Sequence, residues 1–316
     1  SRIKKIQIAD ERIYLWELVV GIVCYDMSGE LLFQLNARGQ GPGEYTDINA
    51  FAVNASLHQL VIYDNMKQSL MFYSTEDGRF VKSEKFNKPT PAEIAYWGGY
   101  FFYHNRLHRN YQDDISLHYY LLASKDGITI GKRYFKHENN KEDYPFSPSG
   151  HNLYDNNSKL YYCRDFDNIV YQIHEDSVVP RFRINLPNPL PASMIEERPN
   201  EMSLLRSGYS LGITDIYEYG GLLFFRFVKD GYIWSCLYNV EESKQVYCAK
   251  RIKFLDSSLI DTIDGIYKDC FYSILTPEYL DYAFSENPLE DYPDLFKTYD
   301  VEGDNPVIAF YRAVVR

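Results

Sequence analysis

A six-bladed β-propeller with four-stranded antiparallel blades is the fold this sequence predicts, and three observations predict it. Short apolar or alternating segments, bounded by Gly, Asn, Asp and Pro, recur in groups of four along the 316 residues. The groups begin near positions 3, 48, 93, 149, 211 and 261, so the first two intervals are each 45 residues and the later ones are longer. Repeats of about 40–50 residues with four strands each are the signature of propeller blades. The chain also holds 30 Tyr and 19 Phe, a strand-forming composition that disfavours a helical bundle.

In the first blade the strands are expected at Ile3–Ile8, Arg12–Glu17, Gly21–Tyr25 and Glu30–Leu35, with Asp26-Met-Ser-Gly29 as the last hairpin turn. The stretch Arg38-Gly-Gln-Gly-Pro-Gly-Glu-Tyr45 then crosses to the second blade, whose strands read Ile48–Val53, Gln59–Tyr63, Ser69–Tyr73 and Arg79–Phe86. Its last hairpin turns at Thr75-Glu-Asp-Gly78, where Gly supplies the positive φ the turn demands. The third blade begins near Glu93, turns at Gly98-Gly99 and uses Ser124-Lys-Asp-Gly127 before its last strand. In the fourth, Lys159–Cys163, Ile169–His174 and Val178–Leu186 are strands; in the fifth, Ile213–Tyr219, Leu222–Val228, Tyr232–Asn239 and Gln245–Ile252. The sixth shows only three: Thr262–Tyr267, Cys270–Leu275 and Val307–Arg312. Residues 1–316 therefore read as a single propeller domain.

The loops divide into two classes. First-to-second and third-to-fourth turns share one face of a propeller and are uniformly tight here. Second-to-third loops and blade crossings share the other face and hold 36–47, 104–116, 136–149, 187–211 and 276–306. Variable loops on a rigid scaffold are where binding sites concentrate, so the irregular face is the expected contact surface. Two insertions carry helix signals: Pro191–Glu197, stopped by Pro199, and Tyr279–Phe284, led by the Thr276-Pro277-Glu278 cap. Asn287-Pro288-Leu-Glu290 repeats the second signal. Residues 276–305 contain nine acids against Lys297, a net −8 of the chain's −11, and are expected to lie over the irregular face as a lid.

The charge balance sets the partner class. A net charge of −11 argues against nucleic acid, which needs a concentrated basic surface. No apolar run approaches the length of a membrane-spanning helix. Within this acidic chain a set of cations falls at strand ends or loops of the irregular face: Arg38, Arg106, His108, Arg109, Arg164, Arg226 and Lys229. Together with Asp64 and Asp165 these form the candidate binding constellation, since Arg recognises carboxylate or sulfate bidentately. The competing reading is that the cations pair with Asp64, Asp165, Asp167, Asp230 or the acidic insertion.

Catalytic and cofactor motifs are not found, and no catalytic residue, metal or cofactor is assigned. The Gly-rich crossing lacks the Lys-Ser/Thr of a phosphate loop, Pro42 removes a donor and Glu44 would repel phosphate. The glycines instead permit the crossing, with Tyr45 packed beneath the next blade. There is no HExxH, no Cys/His cluster and no GxSxG elbow. Asp300-Val-Glu-Gly-Asp304 misplaces the Gly of a calcium loop. The five cysteines, 24, 163, 236, 248 and 270, read as small buried hydrophobes, with one alternative: Cys236 and Cys248 flank the Val240–Lys244 turn and are placed for a cross-strand disulfide.

The combination GQGPGEY, a strand, Ile62-Tyr-Asp64, Phe72-Tyr and Asp77-Gly78 resembles a six-bladed propeller family abundant in Bacteroidetes, itself similar to NHL-repeat propellers. Arg164-Asp-Phe-Asp167-Asn-Ile-Val-Tyr171, the Leu186-Pro187 exit and Asn305-Pro306-Val-Ile extend the resemblance over essentially the whole chain. It implies an exported, often lipid-anchored protein of the periplasm or cell surface with no established activity. The chain begins at Ser1-Arg-Ile-Lys, in keeping with a trimmed mature region. The function expected is a monomeric, non-catalytic binding or scaffold module for an anionic glycan or an envelope protein. The alternative is a channel-sited hydrolase or lyase, with or without calcium, for which Asn49, Glu93, Asp215 and Asp264 are the candidate channel residues.

Overall fold

The four-strand rhythm is realised in a computed structural model that describes residues 3–86, 89–106, 118–137, 146–148, 150–250, 263–286, 294–300 and 305–312. The first sheet is β1 (Ile3–Ala9), β2 (Arg12–Glu17), β3 (Gly21–Asp26) and β4 (Leu31–Leu35), and the second is β5 (Ile48–Asn54), β6 (Gln59–Asp64), β7 (Ser69–Ser74) and β8 (Phe80–Lys85). The third is β9 (Pro91–Trp97), β10 (Tyr100–Asn105), β11 (Tyr119–Ser124) and β12 (Lys132–Lys136). The fourth comprises β13 (Leu153–Asn156), β14 (Lys159–Tyr162), β15 (Ile169–Ile173) and β16 (Val178–Arg183). The fifth comprises β17 (Ser210–Tyr219), β18 (Leu222–Lys229), β19 (Tyr232–Asn239) and β20 (Lys244–Ala249). The sixth has β21 (Gly265–Tyr267), β22 (Cys270–Leu275) and β23 (Val307–Tyr311). Within every sheet each strand pairs with the next in sequence. The fold class is the six-bladed β-propeller, and the three strands described in the sixth blade match the sequence reading.

The chain divides into two compact units. One is formed by residues 2–145 with 174–178 and carries the first three blades; the other is formed by 146–173 with 179–316 and carries the last three. Each unit has its own cores. In the first, Tyr14, Ile22, Phe51, Leu60, Ile62 and Tyr73 are buried in one cluster and Val61, Tyr63, Phe72, Ile94 and Tyr103 in another. In the second, Tyr161, Val170, Ile216, Phe224 and Phe271 are at the centre.

The aromatic surplus has a structural use. A buried Tyr fills a wide gap with its ring while its hydroxyl must find an acceptor. Tyr73 donates to the carbonyl of Gly43 at 3.0 Å, Tyr103 to Gly127 at 2.5 Å and Tyr154 to His151 at 2.5 Å. Phenols thus tie strands to turns and crossings. The first strands of the first three blades are tied by longer side chains: Lys5 on β1 donates to Phe51 O at 3.1 Å and Ile94 O at 2.9 Å, and Asn49 on β5 donates to Pro91 O at 2.7 Å. In the second unit, Asn156 on β13 donates to Ile216 O at 3.1 Å and accepts from the Glu218 amide at 2.6 Å.

The Gly-rich crossing is a tight loop closed by its own backbone. The Gly39 amide donates to Tyr45 O and the Tyr45 amide to Ala37 O, at 2.8 Å each. The Gly41 amide donates to the Glu44 carboxylate at 2.8 Å, and a side chain on Gly39 would collide with that same carboxylate. The loop therefore supplies its own anion where a phosphate would otherwise sit. Tyr45 is buried, with its hydroxyl donating to Leu35 O at 3.1 Å.

Three local outcomes refine the sequence reading. The first insertion holds α1 (Ala192–Glu196) and also α2 (Glu201–Leu205), which begins at Asn200, whose side chain accepts from the Ser203 amide at 2.9 Å. The second insertion holds α3 (Pro277–Glu286) and α4 (Asp294–Lys297). Leu280, Ala283 and Phe296 of these helices pack with Leu275, Val307 and Ala309 of the sixth blade itself, so the described part of the acidic insertion is anchored on its own blade. Cys236 and Cys248 stand directly opposite across β19 and β20, with Cα atoms 4.1 Å apart, and are joined by a disulfide. The general expectation of buried apolar cysteines holds for Cys24 and Cys163, while Cys270 is half-buried. Asn287-Pro288 and most of the Asp300–Asp304 stretch lie outside the described residues.

Candidate functional site

Among the described residues, a small recess of the first blade brings polar side chains of two loop segments together. Its walls are the β2–β3 turn and the crossing that follows β4. Trp16, Glu17, Leu18 and Val19 line one side and Asn36, Arg38, Tyr45 and Asp47 the other. The recess is shallow: its enclosed space is about 30 Å³, room for a water molecule or two. Trp16 is half-buried and packs edge-on against Phe51 with ring centroids 6.4 Å apart, so its ring is held in place. Gly21 lies beneath with φ +91°; a Cβ there would collide with the Tyr45 hydroxyl. The floor is thus rigid and the rim polar.

The predicted binding residues divide by what the structure has already given them. Arg38 is exposed and forms a parallel bridge to Tyr45 through its backbone; among the described residues its guanidinium has no ion-pair partner. Asp64 is fully buried and accepts the amides of Thr46 at 2.5 Å and Lys67 at 2.9 Å, which fixes the crossing to the β6–β7 turn. Arg164 donates twice to Asp167, at 3.0 and 2.7 Å. Asp165 accepts from Ser147 at 2.6 Å and Asn152 at 3.2 Å, pinning the loop that enters the fourth blade. Arg226 faces Asp215 at 3.6 Å, and Lys229 pairs with Asp230 at 2.8 Å. Arg106 is half-buried just past β10. His108, like Arg109, lies outside the described residues. The structure therefore places Arg164, Arg226 and Lys229 in three separate ion pairs and, of the described candidates, brings Arg38 to the recess.

The candidate channel residues are also engaged. Glu93 is buried 3.8 Å from the Lys5 ammonium, and Asp264 accepts the Ile274 amide at 2.7 Å. Asp215, with φ +51°, accepts from the Thr214 hydroxyl at 2.8 Å besides facing Arg226. No group of three His, Cys, Asp or Glu side chains suited to a metal ion occurs among the described residues.

A carboxylate shared by two blades belongs to Glu218. It accepts from Lys159 at 2.9 Å and Arg181 at 2.8 Å and from the Tyr161 hydroxyl. Burial alone would push this acid up, but the hydrogen bonds and the two cations outweigh burial and hold it below the usual carboxylate range. Burial together with that neighbouring charge pushes the Tyr161 phenol the other way, upward. All four side chains saturate one another, which is the mark of a latch between blades rather than a reacting group.

Sequence reasoning misses Trp16, Glu17, Asn36 and Asp47. They come from two segments about twenty to thirty residues apart in no known motif. The one available signal is Leu18-Val19, an apolar pair at a turn tip; both are exposed, Val19 at 82%.

Residues 1–312 match the family model described as a domain of unknown function, DUF4934. Comparison with curated protein sequences finds no match. Among solved structures, the chain is similar to a protein inferred to be exported from Bacteroides fragilis NCTC 9343, with a TM-score of 0.78 at 16% identity over 96% of this chain and 88% of that one. It is more distantly similar to a duf4221 family member from Bacteroides vulgatus, with a TM-score of 0.47 at 11% identity over 77% and 79%. For BamB from Moraxella catarrhalis the values are 0.42 and 8% over 85% and 65%. At these identities the first likeness speaks to fold.

Proposed function

The chain belongs to the DUF4934 family of unknown function, and from that premise we propose that it is a non-catalytic binding or scaffold module of the bacterial cell envelope. Its irregular loop face takes a glycan or a protein partner, with Arg38 as the anchoring cation. The observation that carries this reading is the contrast among the described cations of that face. Arg164, Arg226 and Lys229 are neutralised by Asp167, Asp215 and Asp230, whereas Arg38 stands without an ion-pair partner among the described residues, at the edge of a recess with an aromatic wall. An unpaired guanidinium beside an aromatic ring is recognition chemistry, for it offers a fork of donors next to an apolar platform.

Two observations support an envelope location. The Cys236–Cys248 disulfide suits an oxidising compartment, and the Bacteroides fragilis structural relative is named for export. The lipid anchor and the kinship to NHL-repeat propellers belong to the same reading and rest on sequence resemblance.

The test is a thermal-shift panel of acidic, sulfated and neutral oligosaccharides, with calcium and EDTA as controls and product analysis on every mixture. A ligand at one hundred times its Kd adds about 2.7 kcal/mol to stability, which moves the midpoint by a few degrees. Shifts that shrink in Arg38→Ala, with the sugars recovered intact, are the expected result. Cleaved sugar, or a calcium-dependent shift reversed by EDTA with turnover, would replace this reading with the hydrolase or lyase.

A further inference from the structure

We propose that β4, the outer strand of the first blade, pairs edge to edge with β4 of a second copy of this chain, so that one sheet runs across a closed dimer. Among the described residues β4 pairs with β3 on one side and with no strand on the other. An open edge is a row of unpaired amides and carbonyls, which proteins guard with charge, Pro or a covering element. The other four-stranded blades are guarded. β8 and β12 each carry three charged side chains, β16 has Pro180 and two Arg, and β20 opens on Lys244. β4 reads Leu31-Leu-Phe-Gln-Leu35, with neither charge nor Pro, and Leu31 and Leu32 are both exposed.

The edge is also held in place before any partner arrives. Phe33 is buried with its ring 6.5 Å from that of Tyr14, and it lies against Gly78 in the last hairpin turn of the second blade. Gln34 Nε2 donates to Val20 O at 3.3 Å, and Leu35 O accepts the Tyr45 hydroxyl at 3.1 Å. A strand fixed in this way gives up little freedom on pairing.

The pattern of the edge selects its own copy. Antiparallel pairing about a two-fold axis uses the same patch twice and therefore closes at two chains. With all five residues overlapped, Phe33 lies opposite Phe33, Leu32 opposite Gln34 and Leu31 opposite Leu35. Glu30 of each copy then falls opposite Asn36 of the other, so the two carboxylates stand at opposite ends of the contact. The flanks match as well. Exposed Leu18 and Val19 project from the β2–β3 turn, which lies beside the Leu35–Asn36 end of β4. The two-fold brings this apolar tip of each copy towards Leu31 of the other. Charge argues in the same direction, because a chain of −11 repels its own copy and a neutral strand is where approach meets least opposition. The result is a dimer in place of the monomer expected from sequence.

The experiment is sedimentation velocity on the 1–316 chain from low to high micromolar concentration, at low and high salt. The variants are Leu32→Lys, which puts a guard charge on the edge, and Val19→Glu on the turn tip, with Val179→Lys on the guarded β16 as control. The expected result is a reversible monomer–dimer equilibrium that tightens as salt screens the charge of the chain. Leu32→Lys and Val19→Glu should each weaken it about tenfold or more, since each buries a charge without a partner. Val179→Lys should leave it as in the parent, and monomer melting should be unchanged because all three sites are exposed. A chain carrying both Leu32→Cys and Gln34→Cys should become a covalent dimer on mild oxidation, because full overlap sets these positions opposite each other. Val19 lies outside the strand, so its variant decides even where Leu32→Lys alters folding. A protein monomeric throughout overturns the inference. So does a dimer indifferent to Val19→Glu and Leu32→Lys, a dimer that loosens as salt rises, or an open series of larger species.

Discussion

Asp64 shows how a residue that reads as a surface ligand becomes a structural one. Its position after Ile62-Tyr63 is plain in the sequence, but its partners, the amides of Thr46 and Lys67, depend on how a long crossing folds back. Removing a buried carboxylate that satisfies two backbone donors should cost about 2–4 kcal/mol, so Asp64→Ala should lower the urea midpoint at neutral pH. A loss below about 1 kcal/mol would mean that water replaces the carboxylate. Gly21 makes the matching case for sterics. At φ +91°, a Cβ would lie 2.7 Å from Leu35 O and still closer to the Tyr45 hydroxyl, so Gly21→Ala carries both a left-handed strain and a collision. The strain alone is about 1–2 kcal/mol, and the Tyr45 hydrogen bond adds about 1. Because the hydroxyl is part of the collision, Tyr45→Phe should cost less in the Gly21→Ala background than in the parent, a coupling that a double-mutant cycle measures. At this scale residue types and strand ends are legible in the chain; pairing such as Arg226 with Asp215 is set by three-dimensional loop geometry.

At the scale of elements most spans read from the sequence hold, because strand period and turn chemistry are local, although the short strand Leu153–Asn156 escapes that reading and β16 stops at Arg183 rather than Leu186. Gly21–Asp26, Gln59–Asp64 and Cys270–Leu275 differ from their expected spans by at most one residue. The helix α2 is harder to read, although Asn200-Glu201 after Pro199 is a start signal, since a five-residue helix has too little periodicity to declare itself. The β19–β20 hairpin requires more than periodicity. Whether Cys236 and Cys248 meet depends on register, and a one-residue slip would put them on opposite faces. The observed register sets them directly opposite, 12 residues apart in sequence. Titration of the denatured, unreduced protein should therefore find three thiols among the five cysteines, and five after reduction. Closing a loop of that length is worth about 2–3 kcal/mol on the chain-entropy account, so Cys236→Ser and Cys248→Ser should each lower stability by that order. Five thiols before reduction would return both cysteines to the role of ordinary strand residues.

For the whole molecule, acid is the condition that should find its weakness, because carboxylates hold the same turn in successive blades. Asp26 accepts from the Ser28 hydroxyl at 2.7 Å and the amides of Ser28 and Glu30 at 2.8 and 2.9 Å. Asp77 takes the Arg79 amide at 3.1 Å, and Asp126 takes the amides of Thr129 and Ile128 and the hydroxyls of Ser124 and Thr129, all within 2.8 Å. These hydrogen bonds favour the ionised form, so all three carboxyls lie below the usual Asp range, as Glu218 lies below that of Glu. The folded-state values are depressed relative to the unfolded chain, whose carboxyls titrate near pH 4. The stabilisation is therefore present in full above about pH 5 and lost as pH falls through the folded values. Thermal midpoints should be level in that upper range and decline steadily below about pH 4. The cause can be assigned with Asp126→Asn: the variant should melt below the parent at pH 7, and the gap should narrow steadily as the pH falls from about 5 towards about 2, because the unfolded carboxyl takes up a proton that the hydrogen-bonded folded one resists. A gap of constant size over that range would show that Asp126 acts through shape rather than charge, and the acid limb would then belong to general repulsion among the protein's 33 Lys and Arg and 7 His side chains once their acidic partners are neutral.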